Sequence, residues 1–126
     1  MNHCLIRVFA ALLLAATAVC GVQAEEADRP PWLSDDVVTA AMNIGMSEDQ
    51  LGPFRESVMT FLADYRDESQ RIIRRADAGI ETSVQRARSR LAREMDRRME
   101  TILSAEQMVP YQDCRTALLD AVTPAP

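Results

Sequence analysis

From Ser34 to Val122 apolar residues recur at intervals of three and four, and no stretch alternates apolar with polar at a period of two. That texture belongs to amphipathic helices, so the fold class expected is all-α. A short helix is predicted over residues 35–43, with Ser34 as N-cap and Gly45 just past its end. A long helix is predicted over residues 48–76, its stripe running through Leu51, Phe54, Val58, Phe61, Leu62, Tyr65, Ile72, Ile73 and Ala76. Ser69 is the polar interruption at its centre. At 1.5 Å per residue this helix would be about 43 Å long. Ala78-Gly79 supplies a turn, and a third helix follows over residues 80–103, with Ile80, Val84, Ala87, Leu91, Met95, Met99 and Ile102 on its stripe. A fourth is predicted over residues 105–122. Two long amphipathic helices joined by a tight turn should lie antiparallel in coiled-coil fashion, each covering the other's stripe. The expectation is therefore a long antiparallel helical hairpin with short flanking helices. One hairpin covers only one side of each stripe, which leads us to expect a homodimer.

The first two dozen residues follow another pattern. Arg7 precedes an uncharged apolar run over residues 8–19, and Val22-Gln23-Ala24 offers a small-residue cleavage site ahead of Glu25-Glu26-Ala27-Asp28. This order reads as a secretory signal peptide, its apolar run shorter than the roughly 20 residues a spanning helix needs. The division expected is a signal peptide over 1–24, an extended leader over 25–33, a helical domain over 34–122 and a disordered tail over 123–126. The mature chain would then be periplasmic and without a transmembrane segment. Lipidation at Cys20 is the other processing route, but Thr17-Ala18-Val19 ahead of it fit that route poorly.

Cleavage after Ala24 changes the available chemistry. The single histidine, His3, is lost, and Cys114 is the only cysteine left. Without imidazole there is no Ser-His-Asp or Cys-His site and no histidine-dependent metal site. The acid pairs Asp35-Asp36 and Glu48-Asp49 sit in first turns of predicted helices, where the dipole favours them. We expect no enzyme, no catalytic residue, no metal site and no cofactor.

Every basic residue is arginine. Between Arg66 and Arg98 ten arginines face six acids, a net of +4, whereas the rest of the mature chain has three against thirteen, a net of −10. Arg86, Arg90, Arg93 and Arg97 make an outward stripe at helical spacing, and Arg88 lies near the apolar stripe. A solvated helix face is the plain reading; a client- or surface-binding face is the functional one. Nucleic acid is not an expected partner outside the cytoplasm. Met42, Met46, Met59, Met95, Met99 and Met108 form a methionine-rich set, of which Met95 and Met99 join the arginines as candidate client-binding residues. Their place on the packing stripe equally suits core filling, and thioethers with Cys114 would suit Cu(I). Cys114 is either an inert buried thiol or the site of an intermolecular disulfide.

Two segments are more alike than helix caps need to be. Met46-Ser47-Glu48-Asp49-Gln50-Leu51-Gly52-Pro53-Phe54 aligns without gaps to Leu103-Ser104-Ala105-Glu106-Gln107-Met108-Val109-Pro110-Tyr111. Each is a capping box, in which the Ser oxygen accepts from the Gln backbone N–H and the Gln side chain reaches back. Each also carries a proline expected to remove an internal hydrogen bond and bend its helix. With these residues the chain resembles the Spy/CpxP family of periplasmic proteins, which carry a Leu-Thr-x-x-Gln motif, typically twice, at the start of a long helix and near the C-terminus. Ser47 and Ser104 stand where the family has Thr, Met46 stands where it has Leu, and Gln50 and Gln107 match. The resemblance spans roughly residues 35–120. It implies a cradle-like homodimer that acts as an ATP-independent chaperone for unfolded envelope proteins. Two alternatives stand beside it: a periplasmic regulatory module that binds the periplasmic domain of a stress or metal sensor, and a structural helical protein on the envelope surface.

Overall fold

The computed structural model describes Pro30, residues 32–75 and residues 78–123. The described chain is all-α: α1 Asp35–Met42, α2 Glu48–Arg75, α3 Ile80–Ile102 and α4 Met108–Val122. The expected signal peptide, residues 25–29 and 31 of the leader, Ala76 and residues 124–126 of the tail lie outside the described residues. Of the leader, Leu33 N donates to Pro30 O at 2.9 Å.

α2 and α3 form the long antiparallel pair. Gln50 at the start of α2 bonds to Ile102 at the end of α3, and Glu68 further along α2 approaches Arg90 of α3 at 3.7 Å. Gly79 supplies the turn with φ +86°, a left-handed conformation that costs residues with a Cβ dearly. The described residues divide into two compact units, Ile44–Gln112 and the segments to either side of it. In the first unit, Phe61, Ala92, Met95 and Met99 are wholly buried, joined by Leu51, Phe54, Leu91 and Tyr111. Each such large side chain contributes roughly 1.5–3 kcal/mol through the area it removes from water.

This core is uneven along the hairpin. Phe61 is the last buried side chain of α2, and Ala87 is the first of α3. Beyond them Ile72, Ile80 and Val84 are half-buried, and Ile73, placed on the stripe by spacing, is 57% exposed. Ile72 and Ile73 are neighbours some 100° apart around the helix, so one narrow seam cannot take both. Ser57 lies between Phe54 and Phe61 at intervals of three and four and is buried, a core position its polarity hid from the apolar pattern.

The start of α4 also departs from expectation. Pro110 has no N–H to give Glu106 O, which accepts from Val109 N at 3.4 Å instead, so residues 105–107 form a turn and the regular helix begins at Met108. Pro110 is thus the third residue of α4, where an N–H has no partner within the helix itself. Pro53 does lie inside α2. In the second unit Ser34 caps α1 by accepting from Val37 N at 3.4 Å, and Val37, Ala41, Cys114 and Leu118 are buried. No helix among the described residues is long and apolar enough to cross a membrane.

Candidate functional site

The two motifs meet. Each glutamine reaches back along its own chain: Gln50 Oε1 accepts from Ser47 N at 3.0 Å, and Gln107 Oε1 accepts from Ser104 N at 2.9 Å. Their amides also face one another, Gln50 Nε2 donating to Gln107 Oε1 at 2.8 Å and Gln107 Nε2 to Gln50 Oε1 at 3.0 Å. The remaining amide protons go to the backbone two residues ahead of the opposite serine. Gln50 Nε2 donates to Ile102 O at 2.9 Å, and Gln107 Nε2 to Gly45 O at 3.2 Å. Every donor and acceptor of both amides is used, and the pattern repeats under exchange of the two motifs. Gly45, at φ +70°, belongs to this arrangement because its carbonyl is one of the acceptors.

The serines are less alike. Ser104 Oγ accepts from Gln107 N at 3.2 Å, completing both arms of a capping box. At the first motif Gln50 N donates to the Ser47 carbonyl at 3.1 Å, so the hydroxyl arm expected there is replaced by a backbone turn. Periodicity had no means of pairing residues 57 positions apart. The available signal was the same amide at the same offset in two copies of one motif.

Toward the turn end of the hairpin lies an open groove of about 770 Å³. Arg86, Arg90 and Arg93 line it from α3, Arg75 from the end of α2, with Glu68 as its acid. Three of the five candidate arginines therefore share one surface, with Arg75 added, a residue the α3 stripe could not include. Arg97 is exposed outside that lining, and Arg88 is half-buried. Arg90 is engaged with Glu94 at 3.4 Å and Glu68 at 3.7 Å, exposed pairs of little energetic weight. Arg75, Arg86 and Arg93 have no side-chain hydrogen bond or ion pair with another described residue.

The other candidates are placed inside. Met95 and Met99 are both fully buried, so in this conformation they fill core and present nothing to a client. Cys114 is buried as well, and desolvation pushes its thiol up to about 11. That suits an inert thiol, with almost no sulfur surface for a bond between copies. Tyr111, which the motif alignment pairs with Phe54, donates its buried hydroxyl to Asp96 Oδ1 at 2.9 Å. Asp36, Asp113 and Asp120 border a second cavity, yet no group of three metal-ligating side chains occurs among the described residues. No protein-family model, curated protein or solved structure matches this chain.

Proposed function

We propose that this chain is a periplasmic, ATP-independent chaperone-like binding protein of the Spy/CpxP type, working without a catalytic residue or cofactor. The observation that carries the reading is the mutual bonding of Gln50 and Gln107. A duplicated cap that merely started two helices would not need its second copy to satisfy the first. Here the two copies join the open end of a long hairpin, which gives the repetition of the motif a physical purpose. On this reading a second copy of the chain pairs with the hairpin. Envelope proteins caught while unfolded meet a surface of arginines and half-buried aliphatic side chains. Guanidinium groups on long apolar stems suit such clients, which offer acids and exposed apolar segments together.

The test is suppression of aggregation. A few molar equivalents of the purified protein, without nucleotide, should hold an unrelated unfolding protein in solution, and light scattering should stay near its starting level. Scattering that rises as in buffer removes the chaperone reading. A protein inactive there that binds one sensor's periplasmic domain is the regulatory module instead. The exported form should begin at Glu25, which N-terminal sequencing checks.

A further inference from the structure

The groove near the hairpin's turn has a composition that capture of apolar segments does not require. Arg75, Arg86 and Arg93 offer it guanidinium groups engaged with no other described residue, Arg90 adds a fourth, and Glu68 is the one acid among the described residues of the lining. Thr82, Ser83 and Ser89 supply hydroxyls between them. Forked, permanently charged donors match phosphate and carboxylate oxygens alike, and the small hydroxyls beside them add donors for a phosphate's further oxygens. Apolar surface accompanies them: Ile72 and Ile80 line the same groove. A soluble phosphate has no use for that surface, whereas a phosphate carrying acyl chains does.

We propose that the turn end of the hairpin docks on the surface of a bilayer rich in anionic phospholipid. Arg75, Arg86, Arg90 and Arg93 hold lipid phosphates, and Ile72 and Ile80 meet the first methylenes below them. Charge makes the contact selective, because arginine near an anionic leaflet is strongly attracted and near a zwitterionic one is not. The contact is peripheral. No described helix is long and apolar enough to cross a bilayer, and two half-buried isoleucines give shallow burial only. The same arginines serve clients under the chaperone reading, but lipid docking does not depend on that reading and holds if it fails.

Co-sedimentation with vesicles tests it, using the purified exported protein. Phosphatidylcholine vesicles with about 30% phosphatidylglycerol should retain the protein at about 0.1 M salt, and pure phosphatidylcholine vesicles should not. The variant R86A/R90A/R93A should bind at least tenfold more weakly, and Ile72→Ser about threefold more weakly. The variant R66A/R71A/R97A loses the same charge outside the groove and should keep most of the binding. All of these positions except the half-buried Ile72 are charged and solvent-facing, and circular dichroism establishes that each variant remains helical. Equal retention by both vesicle types overturns the proposal, as does an equal loss in the two triple variants. Saturable uptake of inorganic phosphate or of an acidic peptide, with no retention on vesicles, overturns it too. Aggregation suppression measured on the same variants reports on the chaperone reading separately.

Discussion

Gln50 and Gln107 satisfy each other so fully that removing either strands the groups the other leaves behind. In Gln50→Ala the Ile102 carbonyl, the Ser47 N–H and one face of the Gln107 amide lose their partner. Water reaches the half-buried site, which limits the loss to about 2 kcal/mol, and Gln107→Ala should cost about the same. The double variant should cost less than the two added, by roughly 1 kcal/mol, since the bonds between the amides can be lost only once. Urea unfolding of the four proteins measures that coupling, and strict additivity would mean that the two amides act alone. Gly45 is constrained differently. A Cβ there meets nothing within 4 Å, but the φ of +70° remains, so Gly45→Ala should cost about 1 kcal/mol through backbone strain alone.

Cys114 is the residue that ties stability to pH. Its thiol stays protonated in the fold up to about pH 11, whereas in the unfolded chain it ionises near its ordinary value of 9.0. Between those values the folded state binds the extra proton, so stability falls as pH rises. The contribution is fully present below pH 9 and lost through pH 11, about 2–3 kcal/mol in all at 1.36 kcal/mol per unit. Cys114→Ala should flatten this slope relative to wild type in thermal melts taken across the same range. Unchanged slopes would mean that the thiol is not desolvated.

At the scale of the helices, much was legible and the omissions have identifiable causes. Spacing of apolar residues placed α2 and α3 to within a residue at their ends, because each has one strong stripe and Gly79 lies between them. It overstated the outer half of the seam, since periodicity records where apolar residues stand and not whether a partner faces them. Ile73 is the result. It passed over Ser57 because polarity masked a core position, and it started α4 early because a capping box marks a turn without saying how soon regular bonding begins. The arginine stripe on α3 was visible, but Arg75 joins it only through the fold. Ser69 shows the price of a polar residue in this seam: its hydroxyl is buried without a partner. Ser69→Ala removes that unsatisfied group and gains helix propensity, so it should raise stability by about 1 kcal/mol. Met95→Ala, at a fully buried point of the same seam, should lower it by about 2–5 kcal/mol. Chemical denaturation separates the two in sign.

For the molecule as a whole, the governing quantity is the uneven placement of charge. The stretch from Arg66 to Arg98 carries a net of +4, against −10 for the remainder from Glu25 onward. Two copies whose positive stretches meet each other's acidic segments would attract, whereas pairing through apolar stripes alone would be largely indifferent to salt. The distinction matters because the thin outer seam of the hairpin leaves apolar surface that a second copy could also cover. If charge sets the pairing, the dissociation constant measured by sedimentation equilibrium should rise about tenfold from about 0.05 M to about 0.5 M salt, as screening shortens from well over 10 Å to a few ångströms. A constant that holds or falls across that range assigns the pairing to the apolar seam, and then Ile73→Ser, not an arginine variant, should weaken it.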